Sequence, residues 1–220
     1  IGTAFTLASI GELGNIDEGL NIIFEEKAGP VPISIRQVGA DIWCELKAPE
    51  SLSLGQSIDL DLIAAALSLV PEDIVTSTHQ PIVASVGLPF VIVELDSRLA
   101  LERARSYLPV IKEIQELGVI PDILLYVRSD DDFDIRARMF APLDGVPEDP
   151  ATGSANCALA ALLSHYKTES TGDFGWRIAQ GVEMKRPSVL EARSKKRPDS
   201  GIDVWVSGTC KMVSEGLIEI

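Results

Sequence analysis

Aromatic residues are scarce in this 220-residue sequence, at 5% of the total, so a packed core has to rest on Ile, Val, Leu and Ala. Positive charge is scarce too: 19 Lys and Arg stand against 33 Asp and Glu, a formal net charge of −14. A surface that acidic repels phosphate backbones and anionic lipid, so neither nucleic acid nor membrane is an expected partner. An anionic ligand would have to be caught by local dipoles rather than by the overall field. Cysteine is limited to Cys44, Cys157 and Cys210. That odd, widely spaced set argues against a disulfide framework or a zinc cluster and fits a reducing cytoplasm. The two histidines, His79 and His165, are far apart, with no Cys or carboxylate at metal spacing, so no metal site is expected. His165 falls where a helix C-terminus is expected and suits a dipole-compensating role. Uninterrupted apolar runs are short. The longest charge-free stretch, Ile74 to Val93, is broken by Gln80, Pro81 and Pro89 and reads as two buried strands rather than a membrane span. No basic segment precedes an apolar block, so a signal peptide is not expected.

What is present is ordinary globular composition, 46% hydrophobic and 24% charged, enough for one large domain or two small ones. Residues 1–13 are apolar on most sides and predict a buried helix. Strands are expected at 21–27, 32–38 and 41–47, with Gly29-Pro30 as the first turn, and an amphipathic helix at 57–70 closed by Pro71. Residues 82–86 and 90–95 read as strands, and 97–117 as a helix broken at Pro109. Residues 123–128 and 134–140 read as a hairpin around the acidic tip Asp130-Asp131-Asp132, which is too sparse in ligands for calcium. A helix at about 152–166 and four short strands complete the chain, with the run Arg193 to Arg197 at a solvated hairpin tip. Strands outnumber helices at hairpin spacing, which favours antiparallel sheet.

Two helices begin alike. Gly2-Thr3-Ala4 opens the first and Gly153-Ser154-Ala155 the last, and each is rich in Ala and followed by strands broken at Gly. This faint repeat suggests two related halves, 1–78 and 79–220, of which the first lacks the strands that precede the helix in the second.

The segment from Arg136 to Ala155 is the most informative. A strand runs into a loop with three acids, two prolines and a glycine, Leu143-Asp144-Gly145-Val146-Pro147-Glu148-Asp149-Pro150-Ala151-Thr152, and then directly into a helix. From Ala155 to Leu163 only Asn156 is polar, so protein must wrap that helix. Its N-terminal N–H groups and the positive end of its dipole then face a low-dielectric space, which suits an anion. Gly153 would let a ligand approach the backbone, Ser154 would add a hydroxyl donor, and Asp149 could orient an amino group or exchange a proton. The same residues also read as plain helix capping, with Asp, Ser or Thr as N-cap and Pro150 in a first turn.

The string Glu148-Asp149-Pro150-Ala151-Thr152-Gly153-Ser154-Ala155 resembles the signature of the PhzF family of phenazine-biosynthesis-like isomerases. Further segments match in order: Gly87-Leu88-Pro89-Phe90-Val91-Ile92-Val93, Arg138-Met139-Phe140-Ala141-Pro142, Gln180-Gly181-Val182-Glu183-Met184 with Arg186-Pro187-Ser188, and Val206-Ser207-Gly208 with Gly216-Leu217-Ile218. The resemblance implies an α+β, diaminopimelate-epimerase-like fold of two similar domains, each an antiparallel sheet or barrel around a central helix, with the active site where the two helix N-termini converge. It implies acid–base proton transfer on a small carboxylated metabolite, without metal or organic cofactor, in a cytoplasmic homodimer. On this pattern Gly153 and Ser154 bind the substrate carboxylate together with Thr152, and Asp149 is the catalytic residue.

The resemblance has a gap. The family's principal acid–base glutamate and its Gly-His-x-Thr motif lie upstream of the first helix, and Ile1-Gly2-Thr3-Ala4-Phe5 resembles the continuation of that motif. Both groups are therefore expected before Ile1, and Glu12 and Glu18 fall on the wrong side of the helix to replace them. A non-catalytic homologue serving as a binding or dimerisation module is the alternative. A cysteine-pair racemase is disfavoured, because the mouth of the second helix carries Asp149 and Cys157 reads as a small hydrophobe.

Overall fold

The computed structural model describes residues 1–27 and 29–216. The chain forms two compact units, one from residues 1–47 and 207–220 and one from residues 48–206. The boundary expected at 78/79 therefore moves forward. Residues 48–78 belong to the second unit, because Ser53–Ser57 pairs with the strand at Ile82–Ser85 and Ile63, Ala64 and Leu67 are buried in its core.

The first unit holds helix α1 (Gly2–Ser9) and an antiparallel meander of β1 (Leu20–Glu26), β2 (Gly29–Val38) and β3 (Asp41–Lys47). Its core is small, formed by Ala4, Ile16, Ile33, Ile35 and Cys44. The expectation of a buried first helix is not met: only Ala4 of its eight residues is buried. Gly29 and Pro30 are the first residues of β2, paired with Glu26 and Glu25, rather than a turn.

The second unit begins with β4 (Ser53–Ser57) and α2 (Leu60–Ala66), continues with β5 (Ile82–Ser85) and β6 (Pro89–Glu94), and then α3 (Arg98–Arg103) and α4 (Leu108–Glu116). After these come β7 (Ile123–Arg128), β8 (Ile135–Ala141), β9 (Val146–Asp149), α5 (Gly153–His165), β10 (Gly172–Gln180), β11 (Ser188–Lys196) and β12 (Ile202–Thr209), the last three residues of which are counted with the first unit. Strand order is β12-β11-β10-β8-β7-β6-β5-β4, with β9 on β8. Three strands, not four, follow α5 among the described residues, and the closing segment Leu217-Ile218 lies outside them.

The sheet is mixed rather than antiparallel throughout. Strands β6 and β7 pair in parallel (Val91 with Ile123), as do β8 and β10 (Ile135 with Ile178). The cause is the connections: α3 and α4 cross between the first pair and α5 between the second, and a crossover returns the chain in the same direction. The helix expected at 57–70 is shorter because Asp59 caps it, its carboxylate accepting from the N–H groups of Asp61 and Leu62 at 3.0 and 3.1 Å, while Ser57 belongs to β4. Pro109 does split the next helix, in the first turn of α4.

Helix α5 is the axis of this unit. Ten of its thirteen residues, Ala155 to Ser164, are buried, and β5, β6, β10 and β11 pack on it. Val91, Val93, Leu95, Ile123, Leu125 and Val127 face the other way, into a core shared with α2, α3 and α4. Strands β6 and β7 are thus covered on both faces, which is why they read as continuous apolar runs instead of alternating ones.

Candidate active site

Strand β8 leads into a single turn, Pro142–Asp144, closed by Gly145 in the left-handed region at φ 76°. That reversal sends β9 back along β8, with Met139 opposite Asp149. Successive strand residues point to opposite faces, so Glu148 and Asp149 serve different surroundings. Glu148 takes both arms of Arg138, from Nε at 2.8 Å and Nη2 at 2.9 Å. The remaining Arg138 nitrogen donates to the carbonyls of Leu101 and Ala104 at 2.8 and 2.9 Å, satisfying orphan acceptors at the end of α3. Arg138 is 4% exposed, so this bidentate pair clamps β9 against the helix layer from within.

On the other side, the Thr152 hydroxyl donates to Asp149 Oδ2 in a short hydrogen bond. Gln180, at the end of β10 and fully buried, ties the loop together. Its Nε2 donates to the Asp149 carbonyl at 2.7 Å and to Thr152 Oγ1 at 3.0 Å. Its Oε1 accepts from the Thr152 N–H at 3.2 Å and from Asn156 Nδ2 at 2.8 Å. Asn156 Nδ2 also donates to the Thr152 carbonyl at 2.8 Å, and among the described residues its buried Oδ1 has no partner. The next residue, Gly181, sits at φ 76° with the Arg186 and Pro150 carbonyls so close that a Cβ would collide with both. Only glycine lets the β10–β11 turn press on the loop this tightly.

Thr152 is the N-cap residue of α5 but provides no side-chain cap, because its hydroxyl is turned to Asp149. Asp149 does not cap the helix either. The capping expected on local pattern is thus absent here, whereas α2 and α3 are capped by Asp59 and Ser97. Among the described residues no side chain caps the first turn of α5, and Gly153 and Ser154 are half-buried there. A Cβ on Gly153 would come within 3.3 Å of Val206 Cγ1, so the helix start is also packed tightly from behind.

The four residues singled out in the sequence, Asp149, Thr152, Gly153 and Ser154, are contiguous in space. Gln180 and Asn156, which organise them, had no assigned role. The signal for Gln180 was its place in the Gln-Gly pair at a strand end; for Asn156, it was its being the one polar residue in an apolar helix. Cys157 is 1% exposed, and burial pushes its thiol up to about 12, as suits a small hydrophobe. His79 is buried, its Nδ1 2.8 Å from the Gln80 carbonyl and its Nε2 2.9 Å from the Tyr126 hydroxyl, and burial holds its imidazole below the ordinary range. His165 sits in the last turn of α5.

Two cavities lie elsewhere in this unit. One, of about 540 Å³, runs along the Arg138–Glu148 pair with Arg98, Arg105, Glu102 and Glu183. The other, of about 500 Å³, lies beside Asp122, whose carboxyl is pushed up to about 6 by burial and by Asp144. Neither is lined by Asp149, Gly153 or Ser154.

The sequence profile of the phenazine biosynthesis-like proteins, PhzC-PhzF, matches residues 1–216. An uncharacterized isomerase of Mesorhizobium japonicum is 28% identical over all of this chain and 74% of its own length. The trans-2,3-dihydro-3-hydroxyanthranilate isomerase of Pseudomonas aeruginosa is 31% identical over 89% of this chain and 66% of its own length. Among solved structures, a PhzF-family phenazine biosynthesis protein of Bacillus anthracis superposes with a TM-score of 0.80 at 19% identity, covering 95% of this chain and 71% of that one. A hydroxyproline epimerase of Agrobacterium vitis superposes at 0.62 with 12% identity, over 94% of this chain and 61% of that one, so the α+β, diaminopimelate-epimerase-like architecture is shared beyond close relatives. The chain spans 61% to 74% of the length of these proteins. No helix among the described residues is long and apolar enough to cross a membrane. The profile match along nearly the whole chain, and the signature lying where β9 meets the uncapped start of α5, have one common explanation: the chain belongs to the PhzF family of phenazine biosynthesis-like proteins.

Proposed function

We propose that this chain belongs to an isomerase that moves a proton by acid–base catalysis on a small carboxylated metabolite, amino-bearing or cyclic, without a metal or organic cofactor. The observation that carries the reading is the uncapped first turn of α5 beside a carboxylate held in place. The Gly153 N–H and the N–H and hydroxyl of Ser154 bind the substrate carboxylate at the positive end of the helix dipole. An acidic protein needs such a backbone site, since its overall field repels the ligand. Asp149, one turn of chain away, contacts the substrate amino group or exchanges the migrating proton. Isomerases among the relatives, including the one named for trans-2,3-dihydro-3-hydroxyanthranilate, support the reaction class.

The test is to incubate the protein at its native length with trans-2,3-dihydro-3-hydroxyanthranilate in D2O and follow substrate loss and deuterium uptake. Asp149→Ala is expected to lower turnover about 100-fold, the scale of a lost general acid–base group, with an unchanged melting temperature. Normal turnover by a folded Asp149→Ala protein would remove Asp149 from the reaction.

A further inference from the structure

We infer that Gln180 is a positioning residue: acting through the Thr152 hydroxyl, it fixes the rotamer of Asp149 and leaves Oδ1 as the carboxylate oxygen available for proton exchange. The inference rests on the proposal that Asp149 meets the substrate.

The argument begins at one carbonyl. The backbone oxygen of Asp149 can only accept, so the Gln180 atom 2.7 Å away must be the amide nitrogen, and this settles which way the Gln180 amide faces. Its oxygen then receives the Thr152 N–H and Asn156 Nδ2. Asn156 is settled in the same way, because both groups facing its nitrogen, Gln180 Oε1 and the Thr152 carbonyl, are acceptors. The second hydrogen on Gln180 Nε2 goes to Thr152 Oγ1 at 3.0 Å. A threonine hydroxyl has one proton. Having accepted from Gln180, it gives that proton to Asp149 Oδ2, which as a carboxylate oxygen can only accept. Every hydrogen in the chain from Gln180 to Thr152 to Asp149 therefore has one possible direction, and it ends on Oδ2. No protein donor among the described residues is bonded to Oδ1.

The anchor of this chain is more deeply buried than its target. Gln180 is fully buried at the end of a nine-residue strand, and the Gly181 turn behind it presses on Pro150. Asp149, the last residue of β9, and Thr152, in the loop that follows, are half-buried. A half-buried carboxylate at a strand end holds one rotamer when a group on a buried element dictates it, and Gln180 is that group. The Thr152 hydroxyl is committed to Asp149, so Thr152 acts on the substrate through Asp149 rather than by direct contact.

The test compares the native-length protein with Thr152→Val, Thr152→Ser and Gln180→Glu. The first readout is the pair of three-bond couplings from Asp149 Cγ to the backbone N and C′, which report its χ1 and need no substrate. The second is turnover of trans-2,3-dihydro-3-hydroxyanthranilate. Wild type and Thr152→Ser are expected to show one Asp149 rotamer. Thr152→Val and Gln180→Glu are expected to show rotamer averaging. Thr152→Val guards against Gln180→Glu failing to fold with a buried charge, since it removes one hydroxyl from a half-buried site. In turnover, Thr152→Val is expected to lower kcat about 10-fold with KM within twofold, and Thr152→Ser to restore it. An unchanged single rotamer in Thr152→Val overturns the inference whatever the activity. A released rotamer with kcat intact overturns it as well, because the reaction would not use the orientation. Normal turnover by Asp149→Ala is the separate result that removes the reading beneath it.

Discussion

Helices α1 and α5 begin alike, Gly-Thr-Ala and Gly-Ser-Ala, and both are rich in alanine without a polar face, yet their surroundings are opposite. Ten of the thirteen α5 residues are buried, under β5, β6, β10 and β11. In α1 one of eight is buried, and the strands that contact it are β2 and β3. An all-round apolar helix states a demand for cover. How much cover it receives depends on how many strands curve around it within its own unit. The consequence is energetic: α5 is enclosed from Ala155 to Ser164, while α1 in its unit has a small core and exposed flanks.

The largest test of that contrast is truncation of matched leucines. Leu159, with no exposed surface in α5, is expected to cost about 3 kcal/mol as Leu159→Ala, through lost burial and the cavity left behind. Leu7→Ala, on half-exposed α1, should cost less than about 1 kcal/mol. Equal losses in urea unfolding would break the comparison. A smaller effect is expected from matched glycines with positive φ. Gly181→Ala adds collisions with the Pro150 and Arg186 carbonyls to its backbone strain and should cost about 2 kcal/mol or more. Gly11→Ala, at φ 81° with nothing near its Cβ, should cost about 1 kcal/mol. The crystal structure of Gly181→Ala should also show the Asp149–Thr152 loop displaced. The smallest effect is kinetic. Cys44 and Cys157 are both buried, but Cys44 belongs to the small core and Cys157 to α5. Thiol labelling under native conditions should reach Cys44 through local opening before Cys157, whose modification should track global unfolding. The reverse order would mean that the second unit opens first.

Much of the candidate site was legible because it is contiguous in the chain. Asp149, Thr152, Gly153 and Ser154 lie within six residues, and the meeting of a Pro- and Gly-rich loop with an apolar helix marked the place. Gln180 carries no such local mark. It is far along the chain, and the bonds that give it a role form only when β10 ends beside the loop. Arg138 was similar: a charge in a strand pattern gives no sign that the carbonyls of α3 and Glu148 will enclose it. The parallel pairs β6–β7 and β8–β10 were missed for a related reason, since hairpin spacing speaks for neighbours in sequence and both pairs are joined by crossovers.

The sequence by itself determined the types of most elements, the apolar character of α5, the net repulsion of anions and, through the signature, the family. Those are properties of composition, periodicity and adjacent residues. Only the tertiary structure decided that α5 is enclosed while α1 is not, that the Thr152 hydroxyl turns to Asp149 instead of capping its helix, and that a buried glutamine dictates that turn. Each of these depends on which donor or apolar face is brought within bonding distance from a remote part of the chain, and hydrogen bonds and burial act only at contact.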